Sequence, residues 1–367
     1  MNIRAAVVTA INSPLGVETL ELDPPRQGEV LVRIAACGVC HSDYHLVTGG
    51  TRHALPVVPG HEGAGVVEAV GEGVAPVAPG DHVVLNWAPA CGRCFYCQRG
   101  KHNLCDTFAG SMWQGTMQDG TPRLRRNGHP VYHYCSLAAF AEYAVVPQET
   151  CVVVSKEVPL ATAALVGCAV TTGIGSVRYT AKVQAGECVA VFGCGGVGLS
   201  IIMGARLAGA GIIVAVDRLP GKLDLARLSG ATHTVNSSEA GPIEAIRRLT
   251  QGRGADAAFE AVGLPELQAD CIEAARPGGR AVLVGLSPMD TITPMSGARV
   301  TRQEKSVLGS YYGSANPPRD FPLLIDLHMT GMLDLAMLVS RTYRLDEINE
   351  AFRAMLAGEV ARGVVVF

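Results

Sequence analysis

Residues 188–198 read CVAVFGCGGVG, and this stretch decides the fold of the second half of the chain. Cys188 to Phe192 are all apolar, as in a strand buried on both faces, and the segment GLSIIMGARLAG that follows has helical periodicity. Between them, Gly193-Cys194-Gly195-Gly196-Val197-Gly198 is a G-x-G-x-x-G run in a strand-turn-helix setting. The first glycine permits the tight turn, the second lets a pyrophosphate approach the backbone, and the third lets helix and strand pack closely. Gly196 and Val197 open a helix whose N-terminus supplies partial positive charge. The rival reading is a glycine-rich turn without a ligand, and the setting argues against it.

Outward from this turn, the strands IIVAVD, HTVN, DAAFEAV and AVLVGL and a last one near Ser306–Leu308 alternate with helical stretches. These stretches are GKLDLARLSG, PIEAIRRLTQ and residues Glu266–Ala275. Six strands joined by crossover helices predict a doubly wound parallel sheet in an α/β fold. Asp217 closes the second strand 19 residues after Gly198, where a carboxylate accepts hydrogen bonds from a ribose 2′-hydroxyl and repels a 2′-phosphate. That favours NAD over NADP, while the adjacent Arg218 softens the preference.

The first 150 residues read differently. Short β-runs at Val30–Ala35, Gly65–Val70 and His82–Asn86, cut by Gly and Pro turns, predict a β-barrel. After Asn316 the chain turns helical and ends in the β-run GVVVF, a tail expected to rejoin the first domain.

With 367 residues and about 150 per domain, two domains are expected. An apolar content of 48% with 17% charged residues excludes disorder. The net charge of −3 and the lack of a basic run argue against nucleic acid. The most apolar segment, Val158–Val170, contains Pro159 and Thr162 and falls short of the roughly 20 residues a membrane helix needs. No membrane association and a cytoplasmic location are expected. In that reducing setting the 12 cysteines are metal ligands or inert core residues rather than disulfides.

Cys91-x2-Cys94-x2-Cys97-x7-Cys105 places four thiols on one short loop, a set that can close a tetrahedral shell around a structural zinc. A redox-active CxxC is the rival. Cys40 in CGVCHSD, His61 in PGHEG and Cys168 in VGCAV are further potential ligands, too far apart in sequence for spacing to prove a site. Taken singly, Cys168 in its apolar run reads more readily as a small buried hydrophobe than as a ligand.

The ordered set CGVCHSD, PGHEGAG, the four-cysteine loop, GCAVTTG, GCGGVGL and Asp217, down to ARGVVVF, resembles the zinc-dependent alcohol dehydrogenases of the medium-chain dehydrogenase/reductase superfamily. The resemblance implies a GroES-like catalytic domain over residues 1–169 and 313–367 with a Rossmann NAD-binding domain at 170–312 inserted in it. It also implies two zinc ions: Cys40, His61 and Cys168 would hold a catalytic one, with Glu62 close by, and the four-cysteine loop a structural one. Two thiolates and an imidazole leave one position for an alcohol, which zinc acidifies before hydride passes to NAD.

Further roles follow from the same resemblance. Ser42 takes the alcohol proton, His45 passes it outward, and Asp43 fixes ligand geometry. His41 stands where relatives place an Arg on the cofactor pyrophosphate, so NAD(H) binding is expected to be weaker and to tighten as pH falls. Lys222 matches a contact to the adenosine ribose and Arg362 a second one to the pyrophosphate. Trp87 and Tyr134 would line an apolar, aromatic pocket that favours primary aliphatic or aromatic alcohols and aldehydes. An NADPH-dependent aldehyde reductase or a polyol dehydrogenase is the alternative on this scaffold. The stretch Asp106–Gly110 lacks the Arg with which glutathione-dependent relatives hold their substrate. A homodimer or tetramer is expected, with strand edges such as the TITP stretch as a contact.

Overall fold

The computed structural model describes all 367 residues. They fall into two units, Met1–Cys168 with Asn316–Phe367, and Ala169–Ala315. The breaks follow Cys168 and Ala315, where the sequence placed them after Ala169 and Tyr312.

In chain order, the first unit starts with β1 (Asn2–Val7), β2 (Gly16–Leu22), β3 (Glu29–Gly38), α1 (His41–Thr48), β4 (Val57–Val58), β5 (Gly63–Val70) and β6 (His82–Leu85). It continues with α2 (Asp106–Gln114), β7 (Leu124–Arg126), β8 (His129–His133), β9 (Tyr143–Pro147), β10 (Cys151–Val153) and α3 (Leu160–Ala164). The β-rich half forms a five-stranded sheet in the order β1-β2-β7-β8-β4 and a seven-stranded one built around β3. Alternate residues such as Ile3, Leu20, Leu22, Leu124, Val131 and Val145 meet in one core.

The second unit contains α4 (Ala169–Gly175), β11 (Cys188–Phe192), α5 (Gly196–Leu207), β12 (Ile212–Asp217), α6 (Pro220–Ser229), β13 (His233–Asn236) and α7 (Pro242–Leu249). Then come β14 (Ala255–Glu260), α8 (Pro265–Ala274), β15 (Ala275–Leu283), α9 (Gly297–Arg302) and β16 (Ser306–Gly309). Prolines at the first turns of α6, α7 and α8 start these helices at no hydrogen-bond cost. All six strands are parallel, in the order β13-β12-β11-β14-β15-β16. The order reverses between β11 and β14, so a ligand crevice opens at their carboxyl ends. Ala190, Phe192, Val214, Ile246, Ala258 and Cys271 fill the core on one face.

The TITP stretch, residues 291–294, is not a strand, contrary to the sequence expectation; the sheet ends instead at β13 and β16. β16, which follows it in the chain, takes the place beside β15 and forms the sheet edge. No single helix is long and apolar enough to cross a membrane.

The tail supplies α10 (Pro317–Met329), β17 (Val339–Tyr343), α11 (Ile348–Leu356) and β18 (Arg362–Val366). β18 pairs antiparallel with β3, Val364 opposite Gly38 and Val366 opposite Ala36.

Candidate active site and metal centres

Strand pairing explains how residues more than 300 positions apart meet. On β3, Cys37 lies opposite Gly63 of β5 and Gly38 opposite Val364 of β18. The chain segments just beyond these pairs are therefore held at one end of the sheet. Cys40 leaves β3 there, His61 and Glu62 enter β5, and Arg362 opens β18. Cys168 arrives from the turn that follows α3, at residues 165–167. Ligand atoms of Cys40, His61, Glu62 and Cys168 all lie within 4.8 Å of one another, and all four residues are buried. Gly38 is dictated by this crowding, since a Cβ there would stand 2.1 Å from Glu62 Oε2.

His61 is oriented from behind. Its Nδ1 bonds Asp43 Oδ1 at 3.0 Å, and the same oxygen accepts the Gly60 amide at 2.9 Å. Nδ1 therefore carries the proton and Nε2 presents its lone pair. Nε2 is buried without a hydrogen-bond partner, beside two thiols. A buried, unpartnered acceptor between two thiols is costly unless a cation completes it, so this set fits zinc, for which two thiolates and one imidazole are natural ligands. Asp43, expected to fix ligand geometry, accepts both of these hydrogen bonds.

Arg362 is 6% exposed and ion-paired with Glu62, which has no solvent exposure. The resemblance assigns this Arg to the pyrophosphate; in the structure its guanidinium faces Glu62, and its Nε is buried without a hydrogen-bond partner. Burial pushes the Glu62 carboxyl up to about 7 against the pull of Arg362. The sequence did not reveal this pair. Its signal was an Arg opening an otherwise apolar terminal strand, which needs a buried carboxylate partner.

α1 carries His41, Ser42, Asp43 and His45 in its first five residues, with Cys40 as its N-cap. Ser42 Oγ lies 3.8 Å from Cys40 Sγ. His41 is exposed and His45 half-buried. Trp87 and Tyr134 are both buried and stand edge-on to His61, with ring centroids 6.3 and 5.7 Å away and planes at 86° and 90°. Both rings expected to line a pocket therefore stand beside His61.

In the four-cysteine loop all sulfurs again lie within 4.8 Å of one another. Gly92 and Gly100, at φ 73° and 70°, make the left-handed turns that fold it. Its buried core is only Cys97, Cys105 and Phe108, so the lobe depends on whatever its thiols bind. Thr107 Oγ1 donates to Cys91 Sγ at 3.1 Å, and this bond leads the effects that bring the thiol down to about 6. Four thiols packed this closely cannot all ionise without a cation, which again fits zinc.

In the second unit the glycine-rich turn has the geometry its sequence demands. Gly193 takes φ 92°; nothing stands within 4 Å of a Cβ at Gly195; and a Cβ at Gly198 would lie 1.8 Å from the Gly193 carbonyl. The turn is tight, its second glycine open to a ligand, and its third packed shut. Gly195 is the N-cap of α5, and Gly196 and Val197 form its first turn. Asp217 Oδ2 accepts the Cys194 amide at 2.8 Å and Oδ1 the Leu219 amide at 3.0 Å. Arg218 beside it is exposed and Lys222, in the first turn of α6, is half-buried.

A β-rich unit with two sets of zinc-type donors, together with a parallel sheet bearing a dinucleotide turn, defines a zinc-binding dehydrogenase. Residues 26–156 match the alcohol dehydrogenase GroES-like domain and residues 196–329 the zinc-binding dehydrogenase domain. The chain is similar to the NDMA-dependent alcohol dehydrogenase of Amycolatopsis methanolica, 41% identical with 100% of this chain and 99% of the relative covered. It is 39% identical to the S-(hydroxymethyl)glutathione dehydrogenase of Synechocystis sp., with both chains covered in full. Benzyl alcohol dehydrogenase from Acinetobacter calcoaceticus superposes with a TM-score of 0.95 at 32% identity, over 100% of this chain and 99% of that one. The chain belongs to the zinc-dependent alcohol dehydrogenases of the medium-chain dehydrogenase/reductase superfamily, and it is an oxidoreductase of the alcohol dehydrogenase type.

Proposed function

We propose that this protein oxidises primary alcohols, aliphatic or aromatic, to aldehydes with NAD and catalyses the reverse reaction with NADH. Cys40, His61 and Cys168 hold one zinc in this reading, and Cys91, Cys94, Cys97 and Cys105 a second. The observation that carries it is His61 Nε2, buried and unpartnered beside two thiols while Asp43 holds Nδ1. When bound, the metal supplies a Lewis-acid position that acidifies a hydroxyl, and NAD supplies the hydride acceptor.

The chain's own groups do the rest. Ser42 Oγ accepts the proton leaving the alcohol, and His45 passes it on toward solvent. Asp43 keeps His61 in the tautomer that presents Nε2. Arg362 keeps the buried Glu62 carboxylate charge-balanced. Trp87 and Tyr134 set aromatic rings against His61, and a ring wall of this kind favours an apolar alcohol over a polyol, whose extra hydroxyls it would desolvate. The pinning of both Asp217 oxygens by backbone amides supports NAD, because the carboxylate cannot swing aside for a 2′-phosphate. The absence of Arg from the Asp106–Gly110 stretch of α2 supports free alcohols over a glutathione adduct.

A homodimer or tetramer belongs to the same reading. Leu286, Met289, Ile292 and Met295, all at least 50% exposed, lie in the segment that precedes the edge strand β16. Steady-state rates over primary, secondary and aromatic alcohols with NAD and NADP, followed by nicotinamide absorbance, test the activity. Primary alcohols with NAD should give the highest kcat/KM. Higher values with NADP, or with polyols, would contradict it.

A further inference from the structure

Tyr134 does more than fill space beside His61. Its ring is held between His61 and His53, the latter at 6.0 Å and 70°. Its hydroxyl donates to the carbonyl oxygen of Ser42 at 3.3 Å. That is a side-chain hydrogen bond from a loop of the β-rich unit to the first turn of α1.

The loop behind Tyr134 is strained. Cys135, Ser136 and Ala138 have φ of 55°, 57° and 60°, a left-handed conformation in which the Cβ crowds the backbone carbonyl. Surrounding bonds hold it there: the Ala139 amide donates to the Gly60 carbonyl at 2.9 Å, the Phe140 amide to that of Pro59 at 3.1 Å, and Ser136 Oγ to that of Thr116 at 3.2 Å. Three left-handed non-glycine residues within four positions persist only where their surroundings over-determine them, and such outliers cluster at functional sites. The loop is thereby tied to the Pro59–His61 segment, whose Gly60 amide donates to Asp43. The first turn of α1 is therefore held from two sides, through the Asp43 carboxylate and through the Ser42 carbonyl.

We propose that Tyr134 is a positioning residue: its hydroxyl fixes the Ser42 backbone so that Ser42 Oγ stays where it can accept the proton of the alcohol. This rests on the reading in which Ser42 takes that proton. Y134F separates the two parts of the side chain, since phenylalanine keeps the ring contacts to His61 and His53 and removes only the donor.

The experiment compares zinc-loaded wild type, Y134F and S42A by hydrogen exchange and steady-state kinetics. Loss of one hydrogen bond predicts that amide exchange at Tyr44–Leu46 speeds up about three- to tenfold in Y134F, with the Cys91–Cys105 lobe unchanged. kcat should fall by about the same factor at a nearly constant KM, and the solvent isotope effect on kcat should rise toward that of S42A. Unchanged exchange at Tyr44–Leu46 overturns the proposal. So does a loss confined to KM with an unchanged isotope effect, which would leave Tyr134 as pocket wall alone. If wild type makes no aldehyde with NAD, the proposed activity fails, and the exchange measurement still decides whether the hydroxyl clamps α1.

Discussion

Replacing His133 by Gln should flatten the acid side of the stability profile. His133 ends β8, immediately before Tyr134, and is fully buried. Its Nε2 accepts the Arg123 amide at 2.9 Å, so its ring proton sits on Nδ1, where it meets no partner. Burial, then the Arg123 guanidinium and His53, hold the imidazole down at about 3 against an ordinary value of 6.5. Between those two values the unfolded chain binds a proton that the folded chain refuses. The stability this group confers is thus complete above its unfolded pKa and is lost as pH falls. Below that pKa the loss is about 1.4 kcal/mol per pH unit, or about 2 kcal/mol by about pH 5. Gln offers an oxygen to the Arg123 amide and cannot titrate. Urea unfolding at about pH 7.5 and about pH 5, followed by tryptophan fluorescence, measures the difference. Both tryptophans, Trp87 and Trp113, lie in the unit that contains His133. Wild type should lose about 2 kcal/mol more than H133Q between the two pH values. Other titrating groups, zinc ligands included, are common to both proteins and cancel. Equal losses would refute the argument.

Three further outcomes are expected. G198A places a methyl group 1.8 Å from the Gly193 carbonyl, so NADH fluorescence titration should show Kd raised more than about tenfold with metal content unchanged. C97S should cut zinc from two ions per chain to one, by mass spectrometry of the native protein, and lower thermal stability, because the lobe's apolar cluster has only three buried residues, two of them cysteines of the loop itself. Under mild peroxide, zinc release should precede any disulfide among Cys37, Cys135, Cys151, Cys188, Cys194 and Cys271, because all six are buried while Cys91 and Cys94 are partly exposed. A chromogenic chelator and thiol mapping follow the two events.

Local signals carried the parts of this molecule that are local in sequence. The strand, glycine turn and helix from Cys188 to Leu207 were legible because buried strands, helices and turns each have their own residue pattern. The four-cysteine loop was legible because its ligands fall within 15 residues. The Cys40, His61 and Cys168 set was not, because the pairing of β3 with β5 brings two of them together and the turn after α3 delivers the third. Only the resemblance to relatives connected them. The Glu62–Arg362 pair escaped for the same reason, being created by β18 returning from the tail to β3. The TITP stretch misled because β-branched composition describes a residue's fit to a sheet and says nothing of whether an edge is free to receive it.

Zinc content and alcohol oxidation measured together on wild type and C168S test the central claim most directly. Wild type should carry two zinc ions per chain and form NADH from primary alcohols. C168S should retain the four-cysteine zinc, lose or loosen the other, and fall in kcat by about a thousandfold or more. Full activity in C168S, or a wild type that turns over with the four-cysteine zinc alone, would contradict the assignment.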